Sequence, residues 1–170
     1  MRHGFRSRVT LLALAVGLVV SVTGCGSSKT SASDALVQRE ADTFAIEQIE
    51  VKWHKASSTK DIGLMMSLWA PDATFTIGSQ TLTGKAQIRD FFAHKAAPFQ
   101  PENHWVSDTP AYKIRTTVNG DKGTIYFECH YIDVKTGKVA NIVGADQNVQ
   151  KIDGKWLIVN ATGATPTLSP

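Results

Sequence analysis

Apolar positions along this chain fall into three regimes. From Val9 to Val22 they run almost unbroken. From about residue 35 to 95 they recur at helical spacing, and from about 105 to 162 they crowd into β-rich runs. In the second regime Ile46, Ile49, Trp53 and Ala56 recur at steps of three, four and three, which predicts a helix with one apolar stripe. Glu47, Glu50 and Lys52 fall largely off that stripe. A second helix is predicted from Asp61, whose carboxylate can cap it. Ile62, Met65, Met66 and Trp69 share its face, and Pro71 ends it. A third helix follows Thr83-Gly84, with Ile88, Phe91 and Phe92 as its buried side. The β-rich runs are Trp105 to Val118, Gly123 to Asp133, Lys138 to Lys151 and Trp156 to Thr162. Asn119-Gly120-Asp121, Thr136-Gly137 and Asp153-Gly154 are the turn signals between them. Such short loops predict antiparallel neighbours. Thr74 to Ile77 is a further short strand before the third helix. The fold class is therefore α+β, with N-terminal helices covering one face of a curved antiparallel sheet.

The first regime is a leader rather than a structural element. Val9 to Val22 is too short to span a bilayer comfortably and follows the positive Arg2, Arg6 and Arg8. It ends in Val22-Thr23-Gly24-Cys25, which resembles the bacterial lipoprotein cleavage box. The resemblance implies cleavage before Cys25 and palmitate-type acyl chains on its sulfur and new amino group. Two or more chains anchor a protein stably. The expected address is the cell membrane, lipid-anchored on the extracytoplasmic side, either periplasmic or at the cell surface. The chain then divides into a signal peptide (1–24), a lipidated Cys25 with a flexible tether (25–34), one domain (35–164) and a disordered tail (165–170).

Composition narrows the partners. Lys and Arg number 18 against 15 acidic residues, but three of the basic ones lie in the leader. A mature chain of balanced charge gives no electrostatic reason to expect nucleic acid as a partner. Of the two cysteines, Cys25 is claimed by lipid, so Cys129 has no disulfide partner and reads as a small buried hydrophobe. The sequence carries no zinc-type Cys/His spacing, no Gly-rich phosphate loop and no G-x-S-x-G elbow. No metal and no cofactor is expected.

Three segments together resemble a known family. Trp69-Ala-Pro-Asp72-Ala-Thr-Phe75 resembles the step between the second helix and first strand of SnoaL-like proteins. Gly84 with Ile88 and Phe92 resembles their third helix, and Asp153-Gly154-Lys155-Trp156-Leu-Ile their closing strand. The set spans about residues 45–162, and the resemblance implies a domain of the nuclear transport factor 2-like superfamily. The resemblance implies a cone: a strongly bent antiparallel sheet around helices, with a pocket opening at the wide end. Members include isomerases, dehydratases, cyclases and non-catalytic binders, so the fold does not fix the function.

In SnoaL-like dehydratases the first helix carries an aromatic residue and, five residues on, a catalytic Asp, while a His opens the next long strand. Here the aromatic position falls on Trp53, the Asp position on Ser58 and the His position on His104. One acid/base group is kept and the other is lost. His104 is thus the candidate catalytic base. The expected pocket is lined by Trp53, Phe75, Phe92, Phe127 and Tyr131, with His104 competing against Trp105 for an inward position. Strand parity puts Tyr126, Glu128, His130, Asp146 and Asn148 on the opposite face, expected toward solvent or a partner. His54 and His94 read as surface histidines. The favoured function is binding of a small apolar or aromatic molecule without catalysis. The alternatives are an isomerase, dehydratase or cyclase using His104, and an envelope interaction module that homodimerises through its sheet face.

Overall fold

The computed structural model describes residues 31–110 and 113–166. The leader, Cys25 and residues 25–30 of the expected tether lie outside the described residues. Helix α1 (Ala32–Thr59) starts inside that expected tether. Its start is a reciprocal cap: Asp34 N donates to Ser31 Oγ, and Ser31 N donates to the Asp34 carboxylate. Lys60 ends the helix in a left-handed conformation, and its ammonium donates to the carbonyls of Pro98 and Gln100.

Helix α2 (Ile62–Met66) is shorter than its apolar pattern implied. Asp61 caps it as expected, accepting from Leu64 N at 2.8 Å. Trp69 is not on this helix. It opens strand β1 (Trp69–Ile77), and its partner there is Ile158. The register then shifts between Trp69 and Thr74, and this irregularity accommodates Pro71, which cannot donate to a ladder. Strand β2 (Gln80–Thr83), helix α3 (Gly84–His94) and a 3₁₀ turn (Ala97–Phe99) follow.

The expected strand from Trp105 to Val118 is two strands, β3 (Trp105–Asp108) and β4 (Arg115–Asn119). Pro110 interrupts it, for the same missing donor. Both pieces pair with one edge of β5 (Lys122–Asp133). Strands β6 (Lys138–Ile152) and β7 (Lys155–Ala164) complete the sheet. The order is β2-β1-β7-β6-β5-β3, with β4 also on β5. All pairs are antiparallel except β1 with β7. Asp153 and Gly154, both at positive φ, make the β6–β7 turn.

Helix α1 lies against β3, β4 and β5, while α3 packs on β1. The approach is close at Gly123, where a Cβ would stand 2.5 Å from Thr117 O and 2.9 Å from Ile46 Cδ1. The core between them is aromatic. Trp53, Trp69, Phe75 and Phe92 form a continuous ring cluster with centroids 5.3–6.2 Å apart. Phe127 closes it from the sheet, 5.7 Å from Trp53.

Candidate functional site

The aromatic cluster does not fill the interior. A cavity of about 370 Å³ lies between α1, α3 and the concave face of the sheet. Strand parity explains its walls. Phe127, Cys129 and Tyr131 point inward from β5, and their β6 neighbours at that level are Ala145, Val143 and Asn141. Small inward-facing residues there, Ala145 and Gly163, leave the space that larger side chains would occupy. The buried end is formed by Trp53, Phe75, Phe92, Phe127, Cys129 and Tyr131. The other end meets solvent at Lys95, Ala97, Asn141 and Val143.

All five aromatic residues singled out from sequence therefore share this cavity. His104 does not. It sits in the turn before β3, exposed, and helps line a shallow outer hollow with Glu102, Trp105, Asp133 and Lys135. Its carbonyl accepts from Val134 N. The inward place goes to Trp105, whose ring lies 5.7 Å from that of Tyr131. One strand offers alternate faces to adjacent residues, and the indole takes the apolar one.

The buried imidazole is instead His54, which overturns its reading as a surface residue. Its Nε2 lies 3.1 Å from Glu50 Oε1 and 2.5 Å from Thr109 Oγ1, and its Nδ1 lies 2.6 Å from Ser107 Oγ. Thr109 gives its only hydroxyl proton to the Glu128 carbonyl. The Nε2 must then donate to Thr109, and Nδ1 pairs with the Ser107 hydroxyl. Glu50, His54 and Ser107 form one hydrogen-bonded chain, running from α1 to β3 beside Cys129. The neighbouring Ser58, where dehydratases carry Asp, accepts from Ser107 N at 2.8 Å and ties the same two elements together. Sequence held a signal for this: Ile46, Glu50, His54 and Ser57 recur at helical spacing, as a second flank of the apolar stripe.

Cys129 and Tyr131, at the buried end, are held protonated. Burial pushes the Cys129 thiol up to about 12, against partial relief from Tyr131 and Ser107, and Glu50 adds to the rise. Burial likewise raises the Tyr131 phenol well above its ordinary value. Ser57 and Trp53 act on the Tyr131 phenol as hydrogen-bond donors, which offsets part of that rise.

The outer face differs from its expected open state. Glu128 is almost fully buried and Tyr126 is buried with it. Tyr126 donates to Glu128 Oε1 at 2.8 Å, Lys113 Nζ stands 3.5 Å from the same atom, and His130 Nε2 is 3.1 Å from Oε2. The Arg115 guanidinium covers the Tyr126 ring at 3.9 Å. Lys113, just before β4, lies over this face. Only Asp146 and Asn148 of the set stay exposed. Exposed His94 pairs with Asp90 at 3.1 Å, at the surface as expected. Among the described residues, no group of three or more His, Cys, Asp or Glu side chains could hold a metal ion.

A family model for the SnoaL-like domain matches residues 51–157. The chain belongs to the SnoaL-like family. No curated protein matches it. Among solved structures, this SnoaL-like domain is similar to an NTF2-like protein with a cystatin-like fold from Novosphingobium aromaticivorans (TM-score 0.65, 16% identity, covering 83% of this chain and 94% of that one). It is also similar to an NTF2-like protein of unknown function from Pseudomonas putida KT2440 (TM-score 0.65, 15% identity, 77% and 98% covered). A third similar structure, from Streptomyces avermitilis, is provisionally assigned as a dehydratase of the NTF2-like family (TM-score 0.60, 15% identity, 76% and 99% covered). At these identities the likeness shows the fold. The SnoaL-like domain is an NTF2-like α+β cone with an open seven-stranded sheet.

Proposed function

We propose that this SnoaL-like domain binds a small, largely apolar molecule inside its cone. One observation carries the reading: a cavity of about 370 Å³ whose buried end is walled by four aromatic rings of the core cluster and its lid, Trp53, Phe75, Phe92 and Phe127. A sheet that needed only a filled core would place larger side chains at Ala145 and Gly163. The leader and Cys25 extend the proposal to a domain tethered to the membrane, sampling molecules outside the cytoplasm.

The reading is tested by saturation-transfer NMR of the purified protein with naphthalene, indane and cyclohexylbenzene, beside an Ala145→Trp variant. Ala145 points into the cavity opposite Phe127, so an indole there occupies the ligand's space. Transfer in the wild type and its loss in the variant is the expected result. Equal transfer in both, or none in either, overturns the proposal.

A second reading is favoured by the Glu50–His54–Ser107 chain, which has the parts of an acid/base relay. It replaces His104 as the catalytic candidate. Binding stays first because neither His54 nor Ser107 reaches the cavity wall.

A further inference from the structure

Four exposed valines gather at one end of the sheet. Val134 and Val139, each more than half exposed, stand at either side of the β5–β6 turn, with Val106 on β3 and Val143 on β6. Register puts Val106, the half-buried Ile132 and Val139 side by side on the outer face. Val143 faces the other way, opposite Cys129, and lines the cavity mouth beside Asn141 of the same strand. The hairpin tip, residues 134–141, is exposed throughout. Branched apolar side chains left together in water on an exposed turn mark a contact surface.

Charge says what that surface fits. Lys135 and Lys138 stand between Val134 and Val139, and no acidic residue occurs from 134 to 145. Asp133, at the foot of the turn, braces it by accepting from Lys135 N, Thr136 N and the Thr136 hydroxyl. Its carboxylate also feels the Lys135 ammonium, and Glu102 lines the same outer hollow as that lysine. Lys95 adds a third exposed cation at the cavity mouth. Apolar tips set among exposed cations match a surface that is anionic on top and hydrocarbon beneath, which is a lipid bilayer. The exposed stripe on α1 is different. Leu36, Val37, Phe44 and Val51 are interleaved with Glu40 and Glu47, and none of them lines the cavity.

Resting on the binding reading above, we propose that the β5–β6 hairpin tip docks on an anionic bilayer, with its valines in the acyl-chain boundary and Lys135 and Lys138 at the phosphates. The cavity mouth, built in part by the same hairpin, then opens against the lipid. The ligand class is a hydrocarbon dissolved in the bilayer, which enters the cone without crossing water.

The test is methyl NMR of the full chain with phospholipid nanodiscs that carry a nitroxide lipid. The discs are either phosphatidylcholine alone or phosphatidylcholine mixed with phosphatidylglycerol. Broadening is expected at Val106, Val134 and Val139 on the mixed discs, well above that at Val37 and Val51 of α1. A Lys135→Gln/Lys138→Gln variant should lower the docked-to-free ratio about thirtyfold, the worth of two lysines at an anionic surface. Broadening confined to α1, equal broadening on both kinds of disc, or none at all overturns the docking. So does a response of the same valines to dilution without discs, which would assign the face to a second copy. Indane dissolved in the discs separates the two readings through the Ala145 methyl, which lines the cavity. Docked valines with an unmoved Ala145 overturn the binding reading and leave the surface. A shifted Ala145 with undocked valines does the reverse.

Discussion

Helix α1 carries Trp53, His54 and Ser57, so the cavity depends on how that helix is held. In its N-terminal half Asp42 ties it to the sheet. Asp42 Oδ1 accepts from Lys151 Nζ at 2.7 Å and from Trp156 Nε1 at 3.0 Å, while Oδ2 accepts from Gln38 at 3.0 Å. Replacing Asp42 by Ala strands the indole N–H of Trp156, itself buried, which costs about 1–3 kcal/mol. The Lys151 ammonium is partly exposed and turns back to water, so its ion pair adds less than about 1 kcal/mol. The expected loss is about 1–4 kcal/mol in total. Urea unfolding should show a lower midpoint at unchanged m. In a Trp156→Phe background the stranded donor is already gone, so Asp42→Ala should cost at least about 1 kcal/mol less there. A full-size loss in both backgrounds would refute the reasoning. The pH dependence follows from the carboxyl's state. Burial opposes its charge, but the hydrogen bonds from Lys151, Trp156 and Gln38 outweigh burial and hold Asp42 below its ordinary range. With the folded value depressed, this stabilisation is fully present above the unfolded value, about 3.9, and is lost as pH falls through the lower folded value. Wild-type stability should therefore fall more steeply than that of the Asp42→Asn variant as pH drops below about 4.

Three further outcomes are expected. Native Cys129, with its thiol near 12, should alkylate at pH 8 about a thousandfold more slowly than the same thiol in urea, read by peptide mapping; rapid native labelling would contradict its burial. Gln147 is buried with both amide atoms unpartnered among the described residues, so Gln147→Leu should raise stability by about 1 kcal/mol, and a loss of that size would show that the amide is satisfied after all. His104→Ala should leave stability within about 0.5 kcal/mol, because the ring is exposed, whereas His54→Ala should cost about 2 kcal/mol or more by stranding Glu50 and Ser107; the reverse ranking in chemical unfolding would contradict the buried place of His54.

The cone was readable because its cues are local. Asp61 caps, Gly154 turns, and the alternation Phe127, Cys129, Tyr131 points inward whatever lies beyond it. What escaped the sequence depended on chain crossings. Trp69 keeps helical spacing with Met65 and Met66, yet pairing with Ile158 draws it into β1. Glu128 and Tyr126 sit at outward positions, and only the placement of Lys113 and Arg115 against them shows that they are covered. His54 looked like a surface residue because its partners, Ser107 and Thr109, are more than fifty positions away. Resemblance placed the reactive histidine at His104, but parity gave the inward site to Trp105.

The hollow cone is the central claim, and an amide and indole NMR map tests it most directly. On adding indane to the isotope-labelled protein, the Trp53 indole N–H and the backbone of Phe127, Cys129, Val143 and Ala145 should shift together. Shifts confined to the outer face, around Arg115, Tyr126 and Asp146, would contradict it, as would no shifts at saturating probe.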